Sequence, residues 1–232
     1  MTERDWLFHC KQPLSMLDRV VRGTSTRKLQ LISSAACGLL NDLRTRPDLW
    51  HAVEVLARYA DGSASEHEFV EARANVTKLE LSDTGDATWE AVDASLYSVP
   101  QVGTRYVLGR VVSRLTDAAV DGQHRVASDR AKVRVCDILR EVIGNPFRDY
   151  LAVPSWQGGG VIQPDGRTVL FTDAVKGLAD AVHVTGDFGR LPILADALEE
   201  AGVTDEALLA HCRDGGPHLR GCWALDVVRG RA

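Results

Sequence analysis

The chain has 232 residues, 45% of them hydrophobic and 25% charged, which is ordinary globular composition and enough for a substantial core. A formal charge of −5 and a pI near 5.8 leave no chain-wide basic field, which excludes generic nucleic-acid binding. No apolar run approaches the length of a membrane span, and five cysteines scattered over a chain of this size suit free thiols in a reducing cytoplasm.

The opening MTERDWLFHCKQP carries Glu3, Arg4 and Asp5 and has no apolar h-region, which argues against a secretory signal. Pro13 followed by Leu14, Leu17 and Val20 and stopped by Gly23 predicts a short helix. Leu29, Ile32, Ala36, Leu39 and Leu43 advance by threes and fours, the apolar stripe of a second helix opening near Ser25 or Thr26. A third begins at Pro47, buries Leu49, Val53, Leu56 and Ala57, and ends at Asp61-Gly62. Ser65 and Glu68 have capping-box spacing, so a fourth begins there. After a turn at 82–86, segments 87–97 and 101–119 favour helix on either side of Pro100, and 128–143 is a further helix stopped by Gly144-Asn145-Pro146.

Between 153 and 172 the character changes. Gly158 to Gly160 and Pro164-Asp165-Gly166 interrupt any helix, and 161–171 fits one small hairpin turning at Asp165-Gly166. Helices resume over 173–182, 192–201, 204–212 with Thr204 as N-cap, and 218–228. The expected fold is therefore mostly α: a single helical unit over 1–232 with a Gly-rich irregular insertion. A soft boundary at 153–172 separates a larger N-terminal part from a C-terminal part.

Chemistry-bearing residues concentrate in HCRDGGPHLRGCW, from His211 to Trp223. The expected role is a structural clasp. Pro217 and the glycines before it reverse the chain, and Leu219, Cys222 and Trp223 fold back onto the 192–201 helix, with Trp223 as the main anchor. The alternative is a metal set of His211, Cys212, His218 and Cys222, weakened because neighbours such as His211 and Cys212 rarely both face one ion and no CxxC pair anchors them. A nucleophilic cysteine near Arg213 or Arg220 is the other enzymatic reading, and the His9-Cys10 dipeptide repeats the His-Cys pairing. Asp187-Phe188-Gly189 spells a kinase magnesium triplet, but the glycine-rich loop, strand lysine and catalytic-loop aspartate are not present in order. The Gly158 to Gly160 run lacks the Lys-Ser/Thr of a phosphate loop. Arg105, Arg110 and Arg114 form a stripe diluted by Asp117 and Asp121, the pattern of a solvated helix face.

DWLFHCKQPLSML, TSTRKLQLISSAACGLL, AVEVLARYADG, ILREVIGNPFR and above all RLPILADALEEAGVTDEALLAHCRDGGPHLRGCWALDVVRG resemble a helical protein family abundant as paralogues in planctomycete bacteria. The resemblance covers both ends and the middle landmarks. It implies a helical fold and no established activity. Cys10, Cys37, Cys212 and Cys222 match cysteine positions of the family, whereas Ser34-Ala35-Ala36-Cys37 replaces a cysteine-rich run and the region between Asn75 and Arg130 is less alanine-rich. By analogy the resemblance implies an adaptor role. The expectation is a non-enzymatic protein-interaction or scaffold module with another protein as partner, no generic nucleic acid, no membrane and no cofactor. A thiol- or metal-dependent enzyme using the C-terminal His/Cys cluster is the alternative.

Overall fold

The structure is a computed structural model that describes residues 1–83, 86–97, 99–117, 124–148, 151–153, 159–163 and 166–231. It is mostly α-helical, as the periodicity predicts, and the chain divides into two compact units, Met1–Ile143 and Gly144–Ala232. The division falls at the Gly144-Asn145-Pro146 helix stop rather than within the glycine-rich stretch 153–172. No helix among the described residues is long and apolar enough to cross a membrane.

Unit 1 opens with one π-helical turn, Asp5–His9, that the sequence does not announce. Its helices are α1 (Pro13–Val20), α2 (Thr26–Cys37), α3 (Pro47–Ala60), α4 (Glu66–Asp83), α5 (Ala87–Ser95), α6 (Pro100–Asp117) and α7 (His124–Ile143), with a 3-10 turn at Asn41–Thr45. Helix α2 starts where Ser25 accepts the Lys28 amide, and α4 where Ser65 and Glu68 exchange both bonds of a capping box. Helix α2 packs against α3, α5, α6 and α7. Its buried face includes Leu29, Ile32 and Ala36, with one polar tie. Thr104 Oγ1 on α6 donates to the Leu29 carbonyl, which leaves the Ser33 hydroxyl to donate to Thr104. Helices α5 and α6 pack tightly at Gly103, where a Cβ would lie 2.5 Å from the Ala94 carbonyl oxygen.

A polar network joins the 3-10 turn to α5 and α6. Asp42 accepts from the Thr88 hydroxyl at 2.7 Å and from Arg114 at 3.1 Å, while Asp86 caps α5 and pairs with Arg46. Burial alone raises the Asp42 carboxyl; the Thr88 hydrogen bond and the Arg114 guanidinium outweigh it and hold the group below its ordinary 3.8. A carboxyl depressed in the folded state contributes stability that is present above its unfolded value and lost as pH falls through the folded one. Acid unfolding of Asp42→Asn is therefore expected to be less steep as pH falls below about 4 than that of the unsubstituted protein, measured by circular dichroism at stepped pH.

Unit 2 comprises β1 (Leu151–Val153), β2 (Gly160–Ile162), β3 (Thr168–Leu170), α8 (Asp173–Thr185), α9 (Leu191–Glu200), α10 (Glu206–Arg213) and α11 (Trp223–Val228). The strands form an antiparallel sheet in the order β1-β2-β3. The expected hairpin is β2-β3, though part of its turn (164–165) lies outside the described residues, and β1 is a strand that the sequence reading does not anticipate. Gly160 is required: a Cβ there would stand 2.2 Å from the Val169 carbonyl oxygen. Behind the sheet, Val161, Phe171, Val175, Leu191, Leu194, Leu198 and Leu208 build the core of the unit.

Two expectations about unit 2 change. Thr204 is not the N-cap of α10: Asp205 is, accepting the Leu208 amide at 2.9 Å. Thr204 turns instead to the buried Gln163, to whose Oε1 it donates both its amide and its hydroxyl. Helix α11 begins at Trp223, not at 218, and packs chiefly on α8, with α10 and β2 beside it, instead of on the helix containing Pro192. Arg229 at its end donates to Asp180 of α8 at 2.8 Å.

Candidate functional site

The segment 211–223 links α10 to α11. His211 lies in the last turn of α10, and Asp214, Gly215, Gly216 and Pro217 carry the chain around to His218. Gly221 has φ +86°, a left-handed conformation natural to glycine, and lets the chain enter α11 through Cys222. Cys222 and Trp223 are buried, Leu219 is half-buried and Pro217 is exposed. Pro217 therefore acts by shaping the turn, and the packing of the expected clasp falls to Trp223 and Cys222.

The side chains form a chain of hydrogen bonds. Trp223 Nε1 donates to His211 Nδ1 at 3.2 Å, and His211 Nε2 lies 3.2 Å from Cys222 Sγ. Because an indole N–H can only donate, Nδ1 must hold a lone pair; in the neutral imidazole the proton then sits on Nε2 and points at the sulfur. His218 also carries a proton on Nε2, which meets the Asp214 carbonyl at 3.0 Å; the carbonyl can only accept. The two imidazoles stand edge to face with centroids 5.0 Å apart, and His211 Nδ1 or Nε2, His218 Nδ1 or Nε2 and Cys222 Sγ supply one ligand atom each, all within 4.8 Å of one another.

Of the four residues in the metal alternative, His211, His218 and Cys222 come together. Cys212 does not join that group. One residue further along α10 than His211, it points about 100° away around the helix and is buried in the core of unit 2. Asp214, which orients His218 through its backbone, was missed from the sequence; its position four residues before that histidine is the only signal.

The geometry bears on nucleophilic chemistry as well. A thiolate–imidazolium pair needs an acceptor behind the imidazole to hold its second proton, as a carboxylate or amide does in catalytic triads. Trp223 offers a donor there. Arg213, one of the two arginines expected beside a reactive thiol, is engaged by Asp196 at 2.8 Å and Glu199 at 2.6 Å on α9, and these acids raise its own pKa. The other sequence candidates resolve into structure. Asp187-Phe188-Gly189 leads into a 3-10 turn at Phe188–Arg190, and Arg105, Arg110 and Arg114 pair with Asp18, Glu90 and Asp42.

All five cysteines are free thiols. Burial pushes Cys37 up to about 12 and Cys136 likewise up to about 12, so neither forms a thiolate near neutrality. Cys10, half-buried and donating weakly to the Gln12 carbonyl, is the exception in accessibility. In a timed reaction with a chromogenic disulfide at pH 8, Cys10 is expected to react first. Cys37 and Cys136 should react only on unfolding, and Cys10→Ser should remove the fast phase. Comparison of the chain with protein families, with curated proteins and with solved structures gives no match.

Proposed function

We propose that the protein is a non-enzymatic protein-interaction or scaffold module whose partner presents an amphipathic helix. The observation that carries this reading is an apolar face in unit 1. Val99 immediately precedes α6, and Val102 and Tyr106 follow it by three and then four positions in the first two turns, with exposures of 51%, 64% and 44% in that order. Tyr97, also exposed, lies beside them with its Cβ 3.5 Å from the Cβ position of Gly103. Single exposed apolar residues are ordinary, but a row of them at helical spacing offers a ridge for a second helix to pack against. Arg110 stacks on Tyr106 and pairs with Glu90, which places both charges at the rim of this face.

The donor behind His211 favours this reading over thiol catalysis. The free cysteines suit a reducing compartment, and we place the protein in the cytoplasm.

A photo-crosslinking amino acid at position 102 tests the proposal. It should trap a discrete protein species in native lysate, and the double variant Val99→Asp/Tyr106→Asp should abolish the adduct without changing the circular dichroism spectrum. An adduct only to a second copy of the chain, or one indifferent to the double variant, overturns the reading.

A further inference from the structure

We propose that His211, His218 and Cys222 form a binding site for a divalent cation of the zinc class, and that occupancy of this site breaks the hydrogen bond from Trp223 to His211. The inference is independent of the interaction reading and concerns unit 2 alone.

Two imidazoles and a thiolate are borderline and soft donors, the set that selects zinc-like ions over magnesium or calcium, which take oxygen ligands. With metal–nitrogen bonds of about 2.0–2.1 Å and a metal–sulfur bond of about 2.3 Å, neighbouring ligand atoms of a tetrahedral shell lie roughly 3.3–3.6 Å apart. The His211 Nε2 to Cys222 Sγ separation of 3.2 Å is already close to that, and no separation in the set exceeds 4.8 Å. All three ligands come from one short stretch of chain, 211–222, whose turn has already been folded by the rest of the unit. The sulfur is fully buried while both imidazoles are partly exposed, which gives the cation an approach from solvent and a low-dielectric seat beside the thiolate.

His218 is already oriented as a ligand would be. A metal-bound histidine generally donates its second N–H to a carbonyl or carboxylate, and His218 Nε2 does so to Asp214, so Nδ1 is the atom that would bind the cation. His211 is held in competition. If Nδ1 binds, its lone pair is no longer available to the indole; if Nε2 binds, the ring proton moves to Nδ1 and opposes the indole N–H. Either way the Trp223 bond is lost. Cys222 gives its thiol proton to solvent on binding and His211 stays neutral, so one proton leaves for each cation bound. Three protein ligands leave the fourth tetrahedral position to water or another donor.

Cobalt(II) is the probe, titrated into the full chain, free of any polyhistidine tag, under a phosphine reductant. The expected result is a one-to-one complex with tetrahedral visible bands and a thiolate-to-cobalt charge-transfer band, displaced by zinc. In parallel the Trp223 indole N–H resonance, identified by its absence in Trp223→Phe, should shift in step with occupancy. His218→Ala should weaken binding at least tenfold, as should Cys222→Ser. His218 is partly exposed, so its variant keeps the test valid should the buried Cys222→Ser variant fail to fold. Trp223→Phe, which removes the competing donor, should tighten binding roughly two- to tenfold, the equivalent of one hydrogen bond. The proposal is overturned by an octahedral spectrum without a thiolate band, by the absence of a one-to-one complex, by binding indifferent to His218→Ala, or by an indole resonance that does not move.

Discussion

Trp223→Ala is expected to lower the stability of unit 2 by about 3–5 kcal/mol, the usual cost of truncating a buried tryptophan and a large share of the stability of an ordinary domain. The ring is 7% exposed and lies against Gly144, where φ is +75° and a Cβ would come within 2.8 Å of Trp223 Cγ. No alanine methyl or relaxed backbone fills the volume it vacates, and His211 loses the donor that fixes its tautomer. Urea unfolding read by amide exchange across 173–228 measures the change. Trp223→Phe keeps most of the ring and forfeits only the hydrogen bond, so its loss should be nearer 1 kcal/mol. A loss below that for Trp223→Ala would mean that the segment 211–223 does not fasten α11.

Arg27→Leu should be comparably damaging to unit 1. Asp61 is shielded from solvent on its whole side chain, and Arg27 donates to its Oδ1 through Nη2 at 2.7 Å and Nε at 3.1 Å. Asp61 also stands at the C-terminal end of α3, where the helix carbonyls make a negative environment and a carboxylate is disfavoured. Removing the guanidinium takes away the cation that pairs with this buried charge, at a cost of about 3–5 kcal/mol. The double variant Arg27→Leu/Asp61→Asn should recover most of the loss, because the charge that needed compensation is gone. Urea midpoints of the wild type, both single variants and the double variant form the cycle that decides it. Without that recovery the effect belongs to the packing of the arginine stem, not to the charge.

Local signals in the sequence were legible wherever the chain settles its own geometry. Ser25, the Ser65/Glu68 box and Pro47 mark helix starts because cap and helix lie within three residues of each other. The signal failed where a distant residue decides. Thr204 is a good N-cap by composition, yet Gln163, 41 positions away, takes its amide and hydroxyl and passes the cap to Asp205. Strand β1 is three apolar residues, too short for a period, and exists through its pairing with β2. In the candidate site, spacing alone brought His218 and Cys222 under suspicion together with His211, and helical geometry removes Cys212. The direction of the hydrogen bonds was beyond reach of spacing: that Trp223 faces Nδ1 of His211, and Asp214 the Nε2 of His218, depends on how a turn of several residues closes.

The seating of α11 on α8 and β2 also sets an order of events during biosynthesis. Translation delivers β2 some sixty residues before the helix that rests beside it, and α8 about forty before. Until 223–228 emerge, the apolar surface that Ala224, Leu225, Val227 and Val228 will cover has no permanent lining. A chain truncated inside the Gly-Gly-Pro turn would carry the sheet and three helices of unit 2 with one side of its core left uncovered and prone to aggregation.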